Sequence, residues 1–162
     1  MNDEELRILK HMNEMTARTD TNTFAQKIGL TSNQLVHRMH ELVKQGYLKK
    51  VGEGFVMTDK GKNALKSMKP LAENMKFQFY VAIGQPTNLY AGSVKEFRDK
   101  AFLVDAASLE FHLNRGDFEN WFQTAVGNVA FVGELSKLRK KNLRGEELRK
   151  ALIKAIEVEF SF

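Results

Sequence analysis

Apolar residues recur with helical period along the first part of the chain, punctuated by glycines and polar clusters. From Asp3 to Met15, the positions Leu6, Leu9 and Met12 fall on one helical face, with Ile8 and Met15 beside them. Acids in the first turn suit the positive end of that helix's dipole. Met15 to Asn22 is polar and threonine-rich and reads as a loop. Thr23 to Ile28 predicts a short helix with Phe24, Ala25 and Ile28 inward, stopped by Gly29. Leu30 plugs the turn, and Ser32 is a suitable N-cap for a longer helix. In that helix Leu35, Met39, Leu42 and Val43 form the apolar stripe, while Asn33, Gln34, His37, Arg38 and Glu41 occupy the other face. Gly46 ends it. Two short apolar runs, Tyr47 to Val51 and Phe55 to Met57, flank Gly52-Glu53-Gly54, which predicts a tight hairpin. Thr58 to Lys62 then caps a helix through Leu65 and Met68, and Pro70 breaks it.

After Pro70 the pattern changes. Phe77 to Ile83 is aromatic and β-branched and predicts one strand, closed by Gly84-Gln85-Pro86, with Thr87 to Gly92 as a loop. Ser93 caps a helix from Val94 to Phe102, with Glu96 placed to complete a capping box. Asp105 begins another helix through Leu109, Phe111 and Leu113, interrupted at Arg115-Gly116. Asp117 caps a third, with Phe118, Trp121, Phe122 and Ala125 on one face, ending at Gly127-Asn128. A fourth runs from Val129 to Lys141 with Ala130, Phe131, Leu135 and Leu138 inward. Beyond a joint at Leu143-Arg144-Gly145, Glu146 to Glu159 forms the last, burying Leu148, Leu152, Ile153 and Ile156. The expected fold is therefore mainly α with a small β-hairpin. A first domain over residues 1–70 is followed by a mostly helical domain over 75–162 with one aromatic strand.

Composition sharpens this division. Residues 1–70 carry 12 Lys and Arg against 8 Asp and Glu, whereas residues 71–162 carry 13 against 12, so the positive excess lies with the first domain. Ten of the twelve phenylalanines lie after Pro70, which gives the two parts different cores. No cysteine is present, so disulfides, thiolate metal sites and a catalytic thiol are excluded. The start of the chain is acidic where a secretion signal needs basic residues, and no apolar run reaches membrane length. A cytoplasmic, nucleoid-associated protein is the expectation.

The order helix, turn, helix and hairpin resembles the winged helix-turn-helix transcription regulators of the multiple-antibiotic-resistance type and their archaeal relatives. The run V-M-T-D-K-G-K-N-A-L, from Val56 to Leu65, is similar to the exit from the wing in those proteins. The segments F-Y-V-A-I-G and S-L-E-F-H-L-N-R-G-D-F-E-N-W-F, within residues 77–128, resemble a small archaeal domain of uncharacterised function with an F-H-L-x-R-x-D-F-x-x-W core. The resemblance implies an archaeal source and a double-stranded DNA partner, and carries no activity for the second domain.

The candidate DNA-binding residues follow from the chemistry of base edges. Asn and Gln pair with adenine and Arg with guanine in the major groove, and a recognition helix enters with its N-terminal residues foremost. Ser32, Asn33, Gln34, His37 and Arg38 supply those groups. Lys49, Lys50 and Lys60, with Lys62, flank the hairpin and are placed for phosphates. Glu53 at its tip disfavours deep entry into the negative minor groove. His112 reads as a structural histidine and Trp121 as core, while Lys137 to Arg144 reads as cations balancing a helix C-terminus or as a second nucleic-acid contact.

No phosphate loop, nucleophile elbow, carboxylate pair or metal-spaced histidine set is present, so the expectation is a non-enzyme without cofactor or metal. The leading reading is a sequence-specific transcription regulator acting as a homodimer, with no membrane partner. A small-molecule or protein effector at the second domain stays open. So do two other readings: a protein-interaction adaptor that uses the winged helix, and a sequence-indifferent chromatin protein.

Overall fold

A computed structural model describes all 162 residues. The chain divides into two compact units, Met1–Leu65 and Lys66–Phe162, each with its own core. No helix is long and apolar enough to cross a membrane.

Unit 1 holds α1 (Asp3–Glu14), α2 (Thr21–Lys27), α3 (Ser32–Lys44), the strands β1 (Leu48–Val51) and β2 (Gly54–Met57), and the start of α4 (Asp59–Met68). Each of the first three helices begins where a side chain satisfies an otherwise orphaned N–H. Asn2 and Glu5 exchange hydrogen bonds of 2.9 and 2.8 Å in a capping box at α1, and Asp20 accepts from the Thr23 N–H at α2. The cap of α3 is Thr31 and not Ser32. Thr31 Oγ1 accepts from the Gln34 N–H, and Gln34 Oε1 accepts from the Thr31 N–H at 2.9 Å. A capping box needs Glu or Gln three residues after the cap. Counting from Thr31 finds Gln34; counting from Ser32 finds only Leu35.

The core of unit 1 gathers Ile8, Leu9, Phe24, Ala25, Ile28, Leu35, Met39, Leu42, Tyr47, Leu48 and Ala64. Ile8 takes the inner position beside Leu9, and Leu6 is only half-buried. Burying each large side chain here contributes about 1.5–3 kcal/mol. The antiparallel ladder pairs Leu48 with Met57 and Val51 with Gly54, leaving Gly52 and Glu53 as a two-residue turn. Thr58 Oγ1 donates to the Gly46 carbonyl at 2.6 Å and accepts from the Gly61 N–H at 3.2 Å, so it joins the end of α3 to the start of α4.

Unit 2 holds β3 (Phe77–Ala82), β4 (Gln85–Ala91), α5 (Val94–Leu103), α6 (Ala106–Arg115), α7 (Asp117–Trp121), α8 (Val129–Lys140) and α9 (Gly145–Phe160). The chain is thus mainly helical with two small antiparallel hairpins. The expected loop at Thr87 to Gly92 is a correction: Thr87–Ala91 belongs to β4, and β3 is paired where a single strand was expected. Pro86 misleads because proline usually breaks strands. In a two-stranded ribbon it sits on an edge, where its missing N–H costs little, and the register shifts on both sides of Tyr80 absorb the irregularity.

Smaller departures have local causes. Ser93 caps α5, but the Glu96 carboxylate bonds the Gly92 N–H at 2.8 Å, one residue earlier than a capping box requires. Gly116, at φ 77°, turns the chain in the left-handed region so that α7 starts directly after α6. From Phe122 to Val126 the helix widens into a π-helical turn. Ala130 is exposed, and Val132 packs partly against the core instead.

The core of unit 2 is rich in aromatic rings. Phe97 lies 5.1 Å from Trp121 in a stacked pair and meets Phe118 edge-on at 5.1 Å, with Phe79 at 5.3 Å. Such pairs add about 0.5–1.5 kcal/mol beyond their burial. Leu148, Leu152, Ile153, Ile156 and Phe160 of α9 join this core. Arg149 closes the end of α5 by donating to the Ala101 and Val104 carbonyls.

One glycine is fixed by close approach. A Cβ on Gly61 would stand 2.4 Å from the Tyr47 carbonyl oxygen and 2.7 Å from Met57 Cγ. Gly61→Ala is therefore expected to destabilise unit 1 by about 1–3 kcal/mol through overpacking. Urea denaturation of the full chain measures this, and an unchanged midpoint contradicts it.

Candidate nucleic-acid interface

The amphipathic pattern of α3 decides which of its side chains face solvent, although His40 also meets the Phe55 ring edge-on at 5.7 Å and Lys44 pairs with Glu41. Leu35, Met39 and Leu42 are committed to the core, which leaves Asn33, His37, His40 and Lys44 on a single solvent-facing line spaced by four, three and four residues. Val36 stands beside this line, 38% exposed. His40 and Lys44 extend the set inferred from the sequence, and the helical spacing from Asn33 was the signal that pointed to them.

The remaining candidates on this helix are engaged within the unit. Ser32 Oγ donates to the Asn22 side chain in a close contact. The Gln34 carbonyl oxygen is held by the Thr31 N–H and hydroxyl at 2.9 and 3.0 Å. The Arg38 Nε bonds Glu4 Oε2 at 2.7 Å, with both side chains about one-third exposed. Gln45 similarly donates to Glu5 at 3.0 Å. The acidic first turn of α1, read from the sequence as a dipole complement, thus also balances one flank of α3.

The lysines divide in the same way. Lys49 and Lys50 on β1 are exposed and form no ion pair. Lys60 donates to the Gln45 carbonyl at 2.8 Å and lies 4.8 Å from the Tyr47 ring centroid, so it closes the C-terminal end of α3. Lys62 is 3.5 Å from Asp59, and Lys44 is 2.8 Å from Glu41. Glu53 is exposed in the hairpin turn.

Unit 2 contains a cavity of about 530 Å³, lined by residues that include Lys76, Gln78, Tyr80, Phe111, His112, Arg115, Asp117, Asn120 and Trp121. His112 is buried in its wall with both ring nitrogens engaged. Nε2 accepts from the Tyr80 N–H at 2.8 Å, so Nδ1 carries the proton and donates to Asp117 Oδ2 at 2.8 Å. Burial lowers the His112 pKa below its ordinary value near 6.5, although Asp117 pulls the other way. Trp121 donates its indole N–H to the Met75 carbonyl at 2.8 Å. In the basic run at the end of α8, Lys137 pairs with Glu134 at 2.7 Å and Arg139 with the buried Glu119 at 3.1 Å, while Lys140, Lys141 and Arg144 are exposed.

The chain was compared with protein-family models, curated proteins and solved structures. It matches none. The case for function therefore rests on these side chains.

The lowered His112 pKa fixes a pH response. The folded ring stays neutral in a range where the unfolded chain takes up a proton, so the native state is favoured above the unfolded pKa and loses stability as pH falls through it. Unit 2 is expected to lose stability as pH falls through the ordinary histidine value near 6.5, and His112→Gln should remove that histidine's share of the slope. Thermal melts across pH test this. An identical slope in the variant contradicts it.

Proposed function

We propose that unit 1 is a winged helix-turn-helix that binds double-stranded DNA, with α3 in the major groove and the β1–β2 hairpin against the backbone. The observation that carries this reading is the solvent-facing line Asn33, His37, His40 and Lys44, with unpaired Lys49 and Lys50 on the adjoining strand. Asn can read adenine bidentately, and neutral or charged histidine can donate to base acceptors or phosphates. A helix about 10–12 Å across with its side chains suits a groove about 12 Å wide, and the 13 residues of α3 run about 20 Å. The proposed role is transcription regulation. One unit of this size offers a small interface, so two chains acting as a homodimer over paired half-sites supply the affinity and the sequence discrimination.

In this reading the roles of the candidates separate. Asn33 and His37 face base edges, while Lys49 and Lys50 contact phosphates. Arg38 is restrained by Glu4 and serves the backbone only if that pair opens. The hairpin, with Glu53 at its turn, stays on the phosphates and out of the minor groove, where a carboxylate meets a strongly negative potential.

A protein-binding role for the same surface draws on a specific observation: Val36, Val51 and Val56 are 38%, 53% and 39% exposed. Salt separates the two readings, because binding to phosphates releases counterions and weakens steeply as salt rises.

Fluorescence anisotropy of the full chain on pooled genomic duplexes across a salt series is the test. Affinity should fall steeply with salt and favour a subset of sequences. Lys49→Ala and Lys50→Ala should each flatten the slope of log affinity against log salt by about one. Asn33→Ala should cost about 1–3 kcal/mol on the preferred sequences and little on others. Glu4→Gln, which releases Arg38, should tighten binding to all duplexes. Absence of binding at low salt by a folded chain overturns the proposal, and equal affinity for every duplex overturns its sequence-specific form.

A further inference from the structure

We propose that the cavity of unit 2 binds a planar aromatic ligand carrying a single negative charge, held by the Arg115 guanidinium against the aromatic wall. Its volume of about 530 Å³ lies within the usual range for small-molecule sites. Three features of its construction point to an occupant.

The first is the placement of Arg115. Its guanidinium lies 4.8 Å from the Phe111 ring centroid, and its Nε stands 3.3 Å from Asp117. Both Nη groups have no partner within the chain, and the side chain is 48% exposed. A guanidinium held flat at one end, with its two outer donors free, matches the geometry of a carboxylate or phosphate edge.

The second is the cost already met in folding. Asp117 is fixed by His112, which is fixed in turn by the Tyr80 N–H of β3. The cation at the cavity therefore hangs from a hydrogen-bonded series rooted in a strand. Ordering a charged side chain before a ligand arrives removes part of the entropy that binding would otherwise lose. The sequence spreads these residues over Tyr80, His112, Arg115 and Asp117; β3 and the close succession of α6 and α7 bring them together.

The third is the wall itself. Tyr80 and Phe111 line it, with the largely buried Trp121 beside them, stacked on Phe97, and an aromatic lining favours a flat, unsaturated body. Thr124 and Ala125 reach the cavity from the π-helical turn, a costly irregularity that concentrates at functional sites. The amides of Gln78 and Asn120 add donors and acceptors suited to the edge of a substituted ring.

Charge limits the ligand further. Besides Arg115, the lining holds Lys76, which is paired with Glu73 at 2.6 Å, and Asp117. A polyphosphate would face the Asp117 carboxylate with too little compensation, whereas a monoanion can use Arg115 alone. An aryl carboxylate and a cyclic nucleotide share this chemistry. Because His112 has both nitrogens engaged, the site binds and orients without offering a histidine base.

Trp121 is the only tryptophan, so the chain has one indole N–H resonance, and it reports directly from the cavity wall. Titrating the labelled full chain with 2-naphthoate and with cyclic AMP, each against its uncharged twin (2-naphthamide, adenosine), tests the proposal. Acetate is the control without a ring. At least one anion should shift the indole signal saturably below about 1 mM and bind about tenfold more tightly than its twin. The anion that does so identifies the ligand's source. Arg115→Gln should abolish that preference, and Arg115→Lys should keep part of it, with the melting temperature checked for each variant. The proposal is overturned if neither anion shifts the signal, if the uncharged twins or acetate bind as well, or if a folded Arg115→Gln keeps the preference.

Discussion

Helix α3 carries two demands at once, and the rest of unit 1 is arranged to meet them. Leu35, Met39 and Leu42 must be buried, because unit 1 has a small core and cannot lose three of its large side chains. The same burial fixes the rotation of the helix and so decides that Asn33, His37, His40 and Lys44 face solvent together. The caps at both ends keep that rotation. Thr31 and Gln34 close the first turn, and Lys60 and Thr58 satisfy carbonyls at the last. A polar line on an anchored helix is a surface for recognition, and the free lysines beside it give it a charge that phosphates can use.

Unit 2 works from a different constraint. Its aromatic core leaves few polar groups inside, and His112 is the one that joins a strand to two helices. Because Nε2 accepts from β3 and Nδ1 donates to Asp117, the histidine is spent on architecture, and the free cationic donors of the neighbourhood belong to Arg115. The same bonds that stabilise the fold thereby set the direction of a cation at the cavity.

The helical elements were legible in the sequence because their apolar spacing, their glycine stops and the caps at Ser93 and Asp105 agree with one another, while the expected caps at Ser32 and Asp117 are Thr31 and Gly116. The β1–β2 hairpin was legible from Gly52-Glu53-Gly54. Partnerships at long separation were not. The Arg38–Glu4 pair lies between residues 34 positions apart, and nothing in the local pattern distinguishes a paired arginine from a free one. The β4 strand was hidden by Pro86, whose usual meaning is reversed at the edge of a two-stranded ribbon. The π-helical turn after Trp121 was hidden because its residues keep a helical pattern. The cavity gathers residues from β3, α6 and α7, so it exists only in the folded chain.

The most direct measurement for unit 1 is a map of backbone amide resonances of the labelled full chain as a duplex selected from genomic DNA is added. The largest perturbations should fall on Asn33, Val36, His37, His40 and Lys44 of α3 and on Lys49 and Lys50 of β1, and the buried side of α3, at Leu35, Met39 and Leu42, should move least. Perturbations confined to unit 2, or centred on the exposed valines by a protein ligand while DNA leaves α3 unchanged, would contradict the proposed role of α3.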